Sequence, residues 1–122
     1  MIPLPYRYWI TTSLRSARKS GRVDERVIVL DPDVSFEWQM MLVVCTYDLL
    51  VNVHLPDGPI SNQPLHALNL GIMRLLMPIT LAPGAKVKIE LYNRFAEHRR
   101  WNRVTVVLDG EKQMPGDPII PL

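Results

Sequence analysis

With a single cysteine, Cys45, in 122 residues, this chain can form no internal disulfide and no cysteine-based zinc site. Its setting, Leu42-Val43-Val44-Cys45-Thr46, is that of an inert core thiol rather than a reactive one. Long apolar runs are missing too. The longest, from Met40 to Cys45, is far short of the roughly 20 residues that a membrane-spanning helix needs. The opening Met1-Ile2-Pro3-Leu4-Pro5-Tyr6-Arg7-Tyr8-Trp9 has no apolar block after a basic start, so secretion by a classical signal is not indicated. No glycine-rich phosphate loop, Gly-x-Ser-x-Gly elbow, His-Glu-x-x-His pair or Asn-x-Ser/Thr acceptor occurs.

The remaining reactive side chains do not group into a site. His54, His66 and His98 fall in three different expected elements, so a metal site would need convergence that the spacing does not signal. A blue-copper site would need its cysteine close to a histidine near the C-terminus, and Cys45 lies in the first half. Ser13, Ser16 and Ser20 sit in the leading segment, and Ser35 and Ser61 have no obvious base. Asp31 and Asp33 flank Pro32, where carboxylates bond nearby backbone amides. The expectation is a non-enzymatic protein without cofactor or metal.

What is present is a core. The mass of 14.0 kDa fits one domain, and 48% hydrophobic residues can fill it without disulfide or metal support. A mean hydropathy of +0.04 is somewhat apolar for a free monomer. The net charge of +2 is unevenly spread. In residues 1–26, Arg7, Arg15, Arg18, Lys19, Arg22 and Arg26 outnumber Asp24 and Glu25, while the rest of the chain is faintly acidic. Such a leading segment reads either as an arm that meets a negative surface or as a solvated terminus.

Alternation with a period of two dominates. Val34, Phe36, Trp38 and Met40 share one face, as do Leu49, Val51, Val53 and Leu55, then Val87, Ile89 and Leu91, then Val104, Val106 and Leu108. The apolar phase is even before Met41 and odd after it, which calls for a bulge or turn near Thr46-Tyr47-Asp48. Turn chemistry marks Asp31-Pro32-Asp33, Asp57-Gly58-Pro59, Pro83-Gly84 and Asp109-Gly110. Eleven prolines argue against long helices. The one helical candidate runs from Pro64 to Leu76, with an extended connection as its alternative. The first strand is expected over Tyr6 to Thr12.

These features predict an all-β chain: an antiparallel β-sandwich or jelly-roll-like barrel with extended N- and C-terminal arms. Its parts are a basic arm with the first strand (1–26), a sandwich domain (27–115) and an extended tail (116–122). Both ends are apolar and proline-rich, with Ile2 and Leu4 at one and Ile119 and Ile120 at the other. They lie either on a neighbouring subunit or over the sandwich's own edges. A loop between two patterned strands gathers Arg94, Phe95, Arg99, Arg100 and Trp101, residue types that serve either as interface anchors or as the cap of a sandwich.

The stretch Met77-Pro78-Ile79-Thr80-Leu81-Ala82-Pro83-Gly84-Ala85-Lys86-Val87-Lys88-Ile89-Glu90-Leu91-Tyr92-Asn93, followed by Asn102-Arg103-Val104-Thr105-Val106-Val107-Leu108-Asp109-Gly110, resembles the small β-sandwich cement or decoration proteins of tailed-phage and related viral capsids. The resemblance covers about a quarter of the chain and brings no catalytic residues. It implies a structural role in a virion made in the host cytoplasm, many copies, homo-oligomers, and contacts with a major capsid protein or other virion subunits through the arms and the Arg/Trp loop. The alternative is a small β-barrel that binds nucleic acid with its basic arm and the same loop. A carbohydrate-binding sandwich using exposed aromatics is a third reading.

Overall fold

Every stretch that alternates in the sequence is a strand in the structure. A computed structural model describes residues 2–15, 23–47, 49–56, 63–67, 70–93 and 101–116. In chain order the strands are β1 (Ile2–Arg15), β2 (Val23–Val29), β3 (Ser35–Cys45), β4 (Leu49–His54), β5 (Gln63–Ala67), β6 (Leu70–Leu81), β7 (Lys86–Asn93) and β8 (Trp101–Met114). They form two four-stranded antiparallel sheets, β1-β8-β3-β6 (sheet A) and β2-β7-β4-β5 (sheet B). This strand order is that of an eight-stranded jelly roll. The expected all-β sandwich is therefore what the chain forms.

The core lies between the sheets. Sheet A contributes Phe36, Trp38, Met41, Val43, Val104, Val106 and Leu108, and sheet B contributes Leu49, Val51, Val53, Val87, Ile89 and Leu91, all buried. At roughly 1.5–3 kcal/mol for each fully buried side chain of this size, this seam is the main force holding the sheets together.

The stretch divides into two strands at the Thr46-Tyr47 corner, as expected, but the change of apolar phase itself is a bulge inside β3. The register on both neighbours of β3 shifts between Trp38 and Met40, so Gln39 is the extra residue. Phe36 and Trp38 point inward before it, and Met41, Val43 and Cys45 after it. On β8 this bulge lies opposite Asp109 and Gly110. The Asp109-Gly110 pair, expected as a turn, is instead inside β8. A Cβ built on Gly110 would lie 2.0 Å from the Glu37 carbonyl oxygen and 2.9 Å from Phe36 Cζ. The glycine thus serves a close approach of two strands, not a reversal.

On β6, the residues opposite Trp38 and Met40 are Ile79 and Arg74. Leu75, Leu76, Met77 and Pro78 therefore loop out across from Gln39. The Pro64 to Leu76 region is not a helix: it holds β5 and the first half of β6. Leu70, Ile72 and Arg74 satisfy a strand register against β3, so tertiary pairing overrides the helical spacing.

The leading segment is not an arm carrying one short strand. It supplies β1, the edge of sheet A, and most of β2, the edge of sheet B. β1 extends beyond the expected Tyr6–Thr12 at both ends, and Pro3 and Pro5 lie within it. Prolines two apart withhold their donors on one side of a strand, which an edge tolerates. Arg7 Nε bonds Asp109 at 3.1 Å, and Arg26 bonds the Thr12 hydroxyl at 3.0 Å, tying β2 to β1. Arg18, Lys19 and Arg22 lie outside the described residues, as do Asp57-Gly58-Pro59 and all of the expected tail except Gly116.

Three polar ties fix the ends of the sandwich. Pro83-Gly84 is a turn, as expected, with Gly84 at φ 72°. Asp31 Oδ1 accepts from the Asp33 amide at 2.9 Å, its Oδ2 from Lys112 at 3.3 Å, and the Asp31 amide donates to the Tyr8 hydroxyl at 3.0 Å. Lys112 Nζ also stands 3.6 Å from the centre of the Tyr6 ring, a cation–π contact. Buried Asn102 bonds the backbone of Thr46 and Tyr47.

Candidate functional site

The residues singled out by the sequence do not form one patch. Trp101 opens β8 on its outward side and is 58% exposed, paired with Arg15 on β1. Ile2 and Leu4, both exposed, lie at the other end of the same ladder, where Ile2 pairs with Met114. At about 3.3 Å per residue the two groups are roughly 40 Å apart. Arg94, Phe95, Arg99, Arg100, Ile119 and Ile120 lie outside the described residues. A Cβ on Gly116 would come 2.5 Å from Ile2 Cδ1, so the backbone after β8 packs against the Ile2 side chain.

The sandwich has a different candidate. On the outer face of sheet A, Trp9 pairs with Val107, Val107 with Leu42 and Leu42 with Ile72. One apolar row therefore crosses all four strands. Beside it, Val44 pairs with Leu70, and Met40 lies on the other side next to Asp109. Trp9 is 64% exposed and Val44, Leu70 and Ile72 are each half-exposed. At the β6 edge, Leu76 and Met77 of the looped-out segment are almost wholly in solvent.

Sequence reasoning missed this surface, although a signal was available. The run Met40 to Cys45 is apolar at every position, and a strand reads that way when both of its faces are covered. Its inward half is the core. Its outward half, Met40, Leu42 and Val44, is the centre of the patch.

Polar groups rim the patch. The Arg7–Asp109 ion pair spans β1 and β8 at 3.1 Å. The guanidinium groups of Arg74 and Arg103 and the carboxylate of Glu111 have no ion-pair partner among the described residues. Glu37 and Glu111 stand directly opposite each other on β3 and β8, a like-charge pairing that costs stability in an isolated sheet. An apolar centre with a charged border has the make-up of a protein interface.

The outer face of sheet B is of another kind. Glu90 contacts the His54 imidazole, accepts from the Tyr92 hydroxyl at 3.2 Å and lies 3.9 Å from Lys88, which is equally far from Glu25. The Glu90 charge beside it raises the Tyr92 phenol above its ordinary value. Cys45 points into the core while His54 lies on this outer face, so thiol and imidazole are not brought together. Among the described residues no three His, Cys, Asp or Glu side chains are placed to hold a metal ion, and no helix is long and apolar enough to cross a membrane.

No protein-family model, curated protein or solved structure matches the chain.

Proposed function

We propose that this chain is a non-enzymatic structural protein of a virion, which decorates or cements a shell by docking its outer sheet A face on another protein subunit of the same particle. The observation that carries this reading is the row Trp9, Val107, Leu42 and Ile72, continuous across four strands, with Trp9 and Ile72 exposed at its ends and Val107 and Leu42 half-buried between them. Apolar patches of this extent on small domains mark contact sites, and burying the row draws on the same force that closes the core. The jelly-roll strand order supports the reading by analogy only, since viral shell domains use it alongside lectins and cupins. The sequence resemblance points the same way.

Quantitative mass spectrometry of particles purified from the biological source tests the proposal. Copy numbers comparable with those of a shell subunit are expected, with Leu42→Glu protein failing to incorporate. Absence from the particles, or full incorporation of the variant, overturns it.

A further inference from the structure

The rim charges of the apolar face have a symmetry that selects its partner. On β8, Arg103 stands four residues before Val107 and Glu111 four residues after it, and all three lie on the outer face. A two-fold axis along the Trp9–Val107–Leu42–Ile72 row, between two stacked faces, lays that row on its own copy. It also carries each Arg103 onto the other chain's Glu111, about 13 Å on either side of the axis.

Other positions agree. The Thr11–Thr105 hydroxyl pair, bonded at 3.0 Å, falls opposite the Arg7–Asp109 ion pair, and Leu70 falls opposite the stem of Arg74. Turning the second copy about an axis parallel to the strands would set Arg7 against Arg74 instead, a like-charge clash. The charges named on this face, Arg7, Arg74 and Arg103 against Glu37, Asp109 and Glu111, cancel, so a copy of the same face is not repelled. The rows from Arg103 to Glu111 span about 27 Å on β8, and all four strands, about 19 Å across, are paired from Thr105 to Glu111, a planar footprint of about 450–500 Å². With side-chain relief added, that approaches the roughly 600 Å² per partner at the lower end of stable interfaces.

From this complementarity we infer that the occupant of the face is a second copy of this chain, packed sheet A on sheet A about a two-fold axis along the Trp9–Ile72 row. The inference rests on the reading of sheet A as the docking face. It gives the isologous contact of a two-fold dimer, in which Glu111 and its neighbour Glu37 receive the counter-charge that their own sheet denies them. Each chain then presents its charged sheet B outward.

Charge exchange in the full-length chain, followed by sedimentation equilibrium with circular dichroism as the folding control, tests the geometry. Wild type is expected to be a dimer. Arg103→Glu and Glu111→Arg should each raise the dissociation constant tenfold or more, since each reversal acts at two symmetric contacts. The double variant, and the one-to-one mixture of the two single variants, should both recover dimerisation. A wild-type monomer at the highest soluble concentration overturns the inference, as does a dimer that single reversals leave unchanged or that the exchange fails to restore. In either case, incorporation into particles still decides the docking reading separately.

Discussion

Asn102 holds Tyr47 by both ends of its side-chain amide: Oδ1 accepts from the Tyr47 amide at 3.0 Å and Nδ2 donates to the Tyr47 carbonyl at 3.1 Å. Oδ1 also accepts from the Thr46 amide at 3.0 Å. Asn102 is wholly buried, so the β3–β4 corner depends on one side chain from β8. Asn102→Ala should lower unfolding free energy by about 2–4 kcal/mol, because backbone donors and a carbonyl are left without partners. Urea denaturation is the measurement, and an unchanged m-value would locate the loss in the native state.

Gly110 yields the second prediction. Since its virtual Cβ meets backbone, the Glu37 carbonyl, and not merely the end of a flexible side chain, Gly110→Ala should cost more than about 3 kcal/mol or prevent folding. Gly84→Ala is the control for conformation without crowding. Its cost should be about 1–2 kcal/mol, from the positive φ alone.

The acid limb should report Asp31. The bond from the Asp33 amide, seconded by Lys112, holds its carboxyl below the usual carboxylate range. A group with a depressed folded pKa contributes stability above its unfolded value and loses it as pH falls through the folded one. The stability difference between wild type and Asp31→Asn should therefore be widest near neutrality and close at the acid end of a pH series of thermal melts. A difference that stays constant with pH would assign the effect to packing.

Serine at both Leu76 and Met77 should leave stability within about 0.5 kcal/mol of wild type, since these side chains stand almost fully in water. Leu75 of the same segment is packed against the core; chemical denaturation measures the effect, and a larger loss would mean that Leu76 or Met77 packs on the sheet as well.

Tryptophan quenching distinguishes three environments. In single-tryptophan variants, acrylamide should quench Trp101 and Trp9 readily and Trp38 hardly at all, following exposures of 58%, 64% and 0%. Trp9 alone should become protected as protein concentration rises, because it lies on the proposed two-fold row.

Much of the fold was legible because burial on one face forces alternation, and β4, β7 and the inward half of β8 repeat it cleanly. The bulge was legible as a change of phase but not in place. A run such as Met40 to Cys45 has apolar residues in both phases, so only the pairing partners of β3 show where the extra residue falls. β6 was ambiguous for a related reason. Leu76, Met77 and Pro78 are exposed in succession and interrupt its alternation, and Leu65, Leu68, Ile72 and Leu75 mimic a helix by chance of spacing. The candidate surface was hidden because it is assembled from four strands far apart in sequence: Trp9 or Ile72 alone is an ordinary exposed apolar residue, and only the register sets them in one row.

The pairing of β1 with β8 also governs the order of events in folding. Tyr8 and Leu108 are partners across a hundred residues of chain, and β8 is the strand on which both β1 and β3 depend in sheet A. At ribosomal rates of roughly 5–20 residues per second, β1 emerges about 5–20 seconds before the strand that completes it. Until then its exposed Trp9 face and open backbone have no place to go. Nascent chains of this protein should thus make heavier demands on holdase chaperones than their small size suggests, and sheet A should close last, in a slow step set by non-local contacts.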